Sequence, residues 1–227
     1  MKRLQALCLA LVAVSVVGAY MAGIASASSP TLLFLVGEEA PMELKGTSTT
    51  NKVSIESVGA DITATGYLLE LLVAMGGPNS GQAKLLYTGS KLNGNNCKTE
   101  GDGEGLILID NGEWHLVYIS RMPLILGVLY TTPTTIIKCG FVMDRIQGSF
   151  VVPFGPANKF VTTTESFKVA VKCGSGDKEE HTKYFNSAGE EETAKFESND
   201  GTGFESACMN ITEEVALTPT KMIEVMT

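Results

Sequence analysis

From residue 31 onward the chain alternates short apolar stretches with turn-forming residues, and before that it carries one long apolar block. Residues 31–36 are an apolar run closed by Gly37, and residues 52–57 alternate polar and apolar with a period of two. Both patterns predict strands. Residues 106–109 and 114–119 flank Asp110-Asn111-Gly112-Glu113. Asn-Gly tolerates the positive φ angles of a tight turn, so this stretch predicts a hairpin. Its second arm is apolar on both faces and is expected as a buried central strand. Further strands are predicted over residues 125–130, 135–139, 145–152, 166–173, 181–185, 193–197, 203–210 and 214–217. A spacing of about 8 to 12 residues, punctuated by Gly, Pro, Asn and Asp, predicts an all-β fold. The expected architecture is an antiparallel β-sandwich or an irregular β-barrel.

Two segments need separate treatment. Residues 67–75 contain good helix formers and stop at Gly76-Gly77, as a short helix would. Strand is the preferred reading, because residues 62–65 lead in with β-branched alternation and so short a helix is marginal alone. Residues 178–199 are charged and include Glu190-Glu191-Glu192. They are expected on the surface, as loops around short strands.

The block that precedes the strands gives the chain an address. Lys2 and Arg3 form a basic start, residues 4–22 are an apolar run broken only by Gln5 and Ser15, and Ala25-Ser26-Ala27 supplies a small-x-small cleavage pattern. This predicts a signal peptide over residues 1–27 and a single secreted β-rich domain over residues 28–227. An uncleaved anchor is the competing reading, since the run approaches the roughly 20 residues that a span needs. Residues 217–227 carry no second apolar span, so no stable membrane span is expected in the mature chain. About 200 residues are enough for one sizeable core.

Charge narrows the partners. Loss of Lys2 and Arg3 with the leader takes the formal charge from −8 to −10. No cluster of Lys or Arg forms the stripe that phosphate neutralisation requires, so nucleic acid is excluded as an expected partner.

Cysteine usage agrees with export. Cys8 leaves with the leader, and Cys97, Cys139, Cys173 and Cys208 remain. In an oxidising compartment four cysteines predict two disulfides, in any of three connectivities. Zinc is the rival explanation, but no C-x-x-C pair exists and only His115 and His181 are available as imidazoles. No metal site and no cofactor are therefore expected.

Candidate chemistry is sparse. There is no nucleophile elbow, no His-Glu-x-x-His helix, no phosphate loop and no dinucleotide fingerprint. His115 lies within the apolar 114–119 strand and is expected as a packed or edge residue, while His181 sits among Glu179, Glu180 and Lys183 as a solvated side chain. Glu100, Asp102 and Glu104 alternate with glycine, so in an extended chain all three carboxylates would point the same way and gather a hard cation. They are the weak metal candidates of this sequence. Paired carboxylates for glycoside hydrolysis are conceivable in so acidic a chain, yet no spacing selects a pair. Trp114 and the tyrosines invite sugar stacking, but Trp114, Leu116 and Tyr118 share one face of an apolar strand and are expected as core. Asn210-Ile211-Thr212 matches a glycosylation sequon, which matters only in a host that modifies asparagine.

A resemblance follows from several strings: Glu100-Gly-Asp102, Gly105, Gly112-Glu-Trp-His-Leu-Val-Tyr-Ile119, Pro123-Leu124 and Gly127-Val-Leu-Tyr130. Ser57-Val-Gly-Ala-Asp61, Gly66-Tyr-Leu-Leu69 and Gln147-Gly-Ser149 extend it over most of the mature chain. The sequence resembles a large group of uncharacterised secreted β-rich actinobacterial proteins. That resemblance implies no activity. It does imply pairing of Cys97 with Cys139, which leaves Cys173 for Cys208. The expected function is a non-enzymatic extracellular or cell-surface structural or binding protein, with a cell-surface polymer as the candidate partner. The alternatives are a secreted carboxylate-dependent hydrolase acting on polysaccharide and a cation-dependent adhesion or matrix protein.

Overall fold

The computed structural model describes residues 31–34, 42–47, 53–57, 60–73, 80–156, 160–161, 167–174, 182–186, 188–215 and 223–226. The leader, Cys8 and His181 lie outside them. Every regular element among the described residues is a strand. In order they are β1 Thr31–Phe34, β2 Met42–Thr47, β3 Val53–Ser57, β4 Ala60–Ala64, β5 Gly66–Val73 and β6 Ser80–Thr88. There follow β7 Lys91–Leu92, β8 Asn95–Thr99, β9 Leu106–Arg121, β10 Leu124–Cys139, β11 Val142–Pro156 and β12 Phe160–Val161. The last six are β13 Phe167–Val171, β14 Lys183–Phe185, β15 Glu191–Thr193, β16 Phe196–Asn199, β17 Glu205–Val215 and β18 Ile223–Met226.

Of the two expected architectures, the barrel is the one formed. Pairing runs β9-β6-β5-β2-β17-β16-β11-β10 and returns to β9, closing an eight-stranded antiparallel barrel. Closure removes the sheet edges that an open sandwich would leave. Short strands prolong the staves: β3 takes over from β2 along β17, β4 continues β5, and β7 and β8 complete the ring toward β10. The hairpin of β14 and β15 attaches to β9 through Phe185 opposite Tyr118. Strands β1, β18 and β12 form a separate three-stranded antiparallel sheet.

The hairpin expected at Asn111-Gly112 is not one. Residues 106–109 and 114–119 belong to a single long strand, β9. Ala83 pairs with Gly112 and Leu85 with Ile109, so Asp110 and Asn111 together face Lys84. The positive φ read from the sequence is present, 58° at Asn111, but it builds a bulge instead of a turn. One extra residue reverses which side chains face inward. Ile107 and Ile109 point into the core before the bulge, and Trp114, Leu116 and Tyr118 after it. The true hairpin joins β9 to β10 through Met122-Pro123, whose peptide bond is cis.

Residues 66–73 form strand β5, in line with the preferred reading of that segment. The central strand is buried on both faces as expected. Its inward residues join the barrel core, while Val117 and Ile119 face outward and pack with Leu129, Val151, Tyr184 and Ala194 under the β14–β15 hairpin. Residues 203–210 and 214–217, read as two strands, are joined through residue 215 as β17.

Candidate functional site

Large side chains pack the barrel interior among the described residues. Trp114, Tyr87, Phe150, Leu126, Ile137 and Met209 are among its fully buried side chains, as an eight-stranded barrel allows. Trp114 is 2% exposed, and its Nε1–H donates to the Leu72 carbonyl at 3.2 Å. Tyr67, Tyr87, Tyr118, Tyr130 and Tyr184 are buried as well. Rings placed this way pack and do not offer a face to a sugar.

The acidic segment does not gather its carboxylates. It is a turn between β8 and β9, with Gly101 and Gly105 at φ of 89° and 83°, so the extended geometry that would align the acids is lost. Asp102 accepts from Thr99 Oγ1, Glu104 pairs with Lys98 Nζ at 2.5 Å, and Glu100 lies 3.6 Å from Lys138 Nζ. Each carboxylate is turned toward a different neighbour. Among the described residues, one trio of His, Cys, Asp or Glu ligand atoms converges: Glu56, Cys173 and Cys208, within 4.8 Å of one another.

The cysteines stand in two pairs at disulfide distance, Cys97 with Cys139 and Cys173 with Cys208. Such pairs fit an oxidising environment. The first pair is fully buried, whereas Cys173 is half-buried over a buried Cys208.

An apolar tip stands out from the surface. Cys139 pairs with Val142, leaving Gly140-Phe141 as a two-residue turn with Gly140 at a φ of 61°. Phe141 is 110% exposed relative to its reference, and Val142 and Met143 beside it are also exposed. Lys138 faces Met143 across the hairpin, and Arg145 follows on the same strand face. Met143 and Arg145 border a shallow groove of about 320 Å³ with Asn199, Asp200 and Gly201, and the exposed Phe204 lies in the same loop as those three. The Cys97–Cys139 bond holds the base of the tip. The sequence signal for this site was available: an apolar Phe-Val-Met directly after a turn glycine, where an ordinary hairpin would be polar.

Behind the groove lies Asp144, 1% exposed. Its Oδ1 accepts the Asn199 backbone N–H at 3.1 Å, and its Oδ2 has no hydrogen-bond partner. Burial pushes the Asp144 carboxyl above the usual range, and the nearby Asp200 charge adds to that. Asp200 moves the other way, held low by the Thr202 hydroxyl and N–H. Opposed shifts on two carboxylates can mark an acid–base pair. Here Asp144 is sealed beneath the loop and pins it, so it does not reach a substrate in the groove.

His115 is neither packed nor at an edge: it is paired with Ser80 on one side and Leu129 on the other, its side chain is half-exposed, and its Nε2 lies 3.7 Å from Glu113. Asn210 of the sequon donates its amide to Glu56 Oε1 at 2.5 Å. Comparison with protein-family models, curated proteins and solved structures returns no match.

Proposed function

We propose that the protein is a non-enzymatic extracellular binding or structural module, exported through its leader, that contacts a cell-surface polymer with the Phe141 tip. The observation that carries this reading is a closed barrel with a large aromatic residue left wholly in solvent at a braced hairpin turn. Phe141 with the exposed Val142 and Met143 that follow it makes a contiguous apolar patch, and such a patch, unlike a lone exposed ring, marks an interaction site. Lys138 and Arg145 beside it add donors for polymer hydroxyl or anionic groups. The two cysteine pairs support the extracellular setting. The sealed position of Asp144 weighs against the hydrolase alternative, and the divergent Glu100, Asp102 and Glu104 weigh against cation-dependent adhesion.

A pull-down on purified cell-wall polymer tests the reading. Wild-type protein should be retained above a control protein of matched net charge, and Phe141→Ser should fall to the control level. Retention of wild type no stronger than the control overturns it.

A further inference from the structure

The convergence of Glu56, Cys173 and Cys208 has chemistry that neither their sequence spacing nor the proposed function uses. We infer that reduction of the Cys173–Cys208 bond opens a site for a thiophilic divalent metal of the zinc class, ligated by the two sulfurs and the Glu56 carboxylate.

Position supports this first. Cys208 on β17 is the direct register partner of Glu56 on β3, and Cys173 reaches both from beyond the end of β13. The three ligand atoms lie within 4.8 Å of one another. Zinc takes thiolates at about 2.3 Å and carboxylate oxygens at about 2.0–2.2 Å, and tetrahedral geometry sets two sulfurs about 3.8 Å apart. Cα atoms 5.4 Å apart permit that separation by side-chain rotation, without moving strands.

Orientation supports it next. Ser54 Oγ and Asn210 Nδ2 both donate to Glu56 Oε1, at 2.8 and 2.5 Å. Asn210 Oδ1 in turn accepts the Cys173 backbone N–H at 3.1 Å. One amide thus ties the carboxylate to the chain carrying a sulfur, which is the kind of outer support that fixes metal ligands. A protein site with three ligands leaves a fourth position for water, and the half-buried Cys173 and Glu56 lie on the side where water enters.

The redox step balances with a dithiol as reductant. Its thiolate attacks Sγ of Cys173, the less buried of the two cysteines, and Cys208 leaves as a thiolate. The second thiol of the reductant then displaces Cys173 and closes its own disulfide, so the chain gains two electrons and two protons. The metal ion replaces those two protons. Deprotonated for ligation, the two thiolates and the carboxylate would crowd three negative charges into a half-buried space, which the divalent cation offsets. Cys97 and Cys139 are both fully buried, so the same reductant reaches them last.

The test uses the full chain, reduced briefly by a dithiol, desalted without oxygen and titrated with cobalt as the spectroscopic stand-in for zinc. Alkylation and mass spectrometry identify the reduced cysteines. Expected are labels on Cys173 and Cys208 only, one cobalt per reduced chain with thiolate charge-transfer and tetrahedral d–d bands, none of these bands in the oxidised chain, and displacement by zinc. Glu56→Gln should weaken cobalt binding by at least about tenfold with circular dichroism unchanged. Absence of the charge-transfer band, equal affinity in the Glu56→Gln variant, first labelling of Cys97 and Cys139, or loss of the barrel on reduction each overturns the inference.

Discussion

Cys97 of β8 and Cys139 of β10 stand directly opposite each other in the antiparallel register, with Cα atoms 4.1 Å apart and their sulfurs bonded. The bond spans a sequence separation of 42, which includes the acidic turn, β9 and almost all of β10. A crosslink of that span removes unfolded-state entropy worth about 4 kcal/mol in the chain-entropy model. The double variant Cys97→Ala, Cys139→Ala should therefore lose about 2–5 kcal/mol. Chemical denaturation without reductant measures this, and a loss below about 1 kcal/mol would show that the bond does little for the barrel.

At the tip just beyond that bond, stability and binding should separate. Phe141 has no burial to lose, so Phe141→Ser should change unfolding free energy by no more than about 0.5 kcal/mol. The same variant is expected to lose polymer retention. A melting curve run beside the pull-down distinguishes loss of a contact from loss of fold.

Asn111 sits at a φ of 58° within β9, in the left-handed region open to Asn and Gly at little cost. Asn111→Gly should alter stability by a few tenths of a kcal/mol only, whereas Asn111→Val should cost about 1–2 kcal/mol. Denaturation midpoints of the two variants check this. Equal effects would mean that the bulge relaxes.

The Asn111 case also shows what was legible in the sequence. The need for positive φ was readable from Asn-Gly, but a turn and a bulge make the same local demand, and only the pairing of Ala83 with Gly112 and Leu85 with Ile109 selects the bulge. Strand was legible over helix at residues 67–75 only from the β-branched alternation of residues 62–65 that leads in and from the shortness of a helix there, and the pairing of residues 66–73 with β2 and β6 agrees with it. Core aromatics such as Trp114 were legible from the apolar strand around them. The Glu56–Asn210–Cys173–Cys208 group was not. Its members meet only because β3 and β17 close the ring, and no local pattern encodes that register. Glu100, Asp102 and Glu104 failed for the opposite reason: their spacing suggested a common face, and the glycines between them turned the chain instead.

The Asp144 carboxyl should leave a signature in acid. Its folded-state value is raised by burial and by Asp200, with the Asn199 and Arg145 backbone N–H groups opposing. The folded state then holds the proton more tightly than the unfolded chain, so stability falls as pH rises from the ordinary carboxylate range through the folded value. The penalty is absent at lower pH and complete above. Relative to Asp144→Asn, which does not titrate there, wild type should gain stability as the solution is acidified through that window. Asp200→Asn should shrink the gain. Urea unfolding across acidic pH checks both, and a difference between wild type and Asp144→Asn that is flat with pH would mean the carboxyl is not perturbed.

Gly81 is the sharpest test of how the interior is packed. A Cβ there would lie 2.2 Å from the Leu72 carbonyl oxygen and 2.7 Å from Trp114 Nε1, the two atoms whose hydrogen bond locks the indole between β5 and β9. One is backbone in a paired strand and the other belongs to a fully buried ring, so neither yields cheaply. Gly81→Ala should cost about 3 kcal/mol, combining overpacking with the lost indole bond. Gly94→Ala is the matched contrast, because Gly94 has a φ of 85° and nothing within 4 Å of its added Cβ, leaving only backbone strain of about 1–2 kcal/mol. Trp114 is the single tryptophan of the chain, so its fluorescence reports the site directly. Gly81→Ala should shift the folded-state emission toward that of a wetter indole, and Gly94→Ala should leave it unchanged. A Gly81→Ala protein with native emission and native stability would mean that β5 and β6 slide to admit the methyl group and that the Leu72–Trp114 bond does not fix the core.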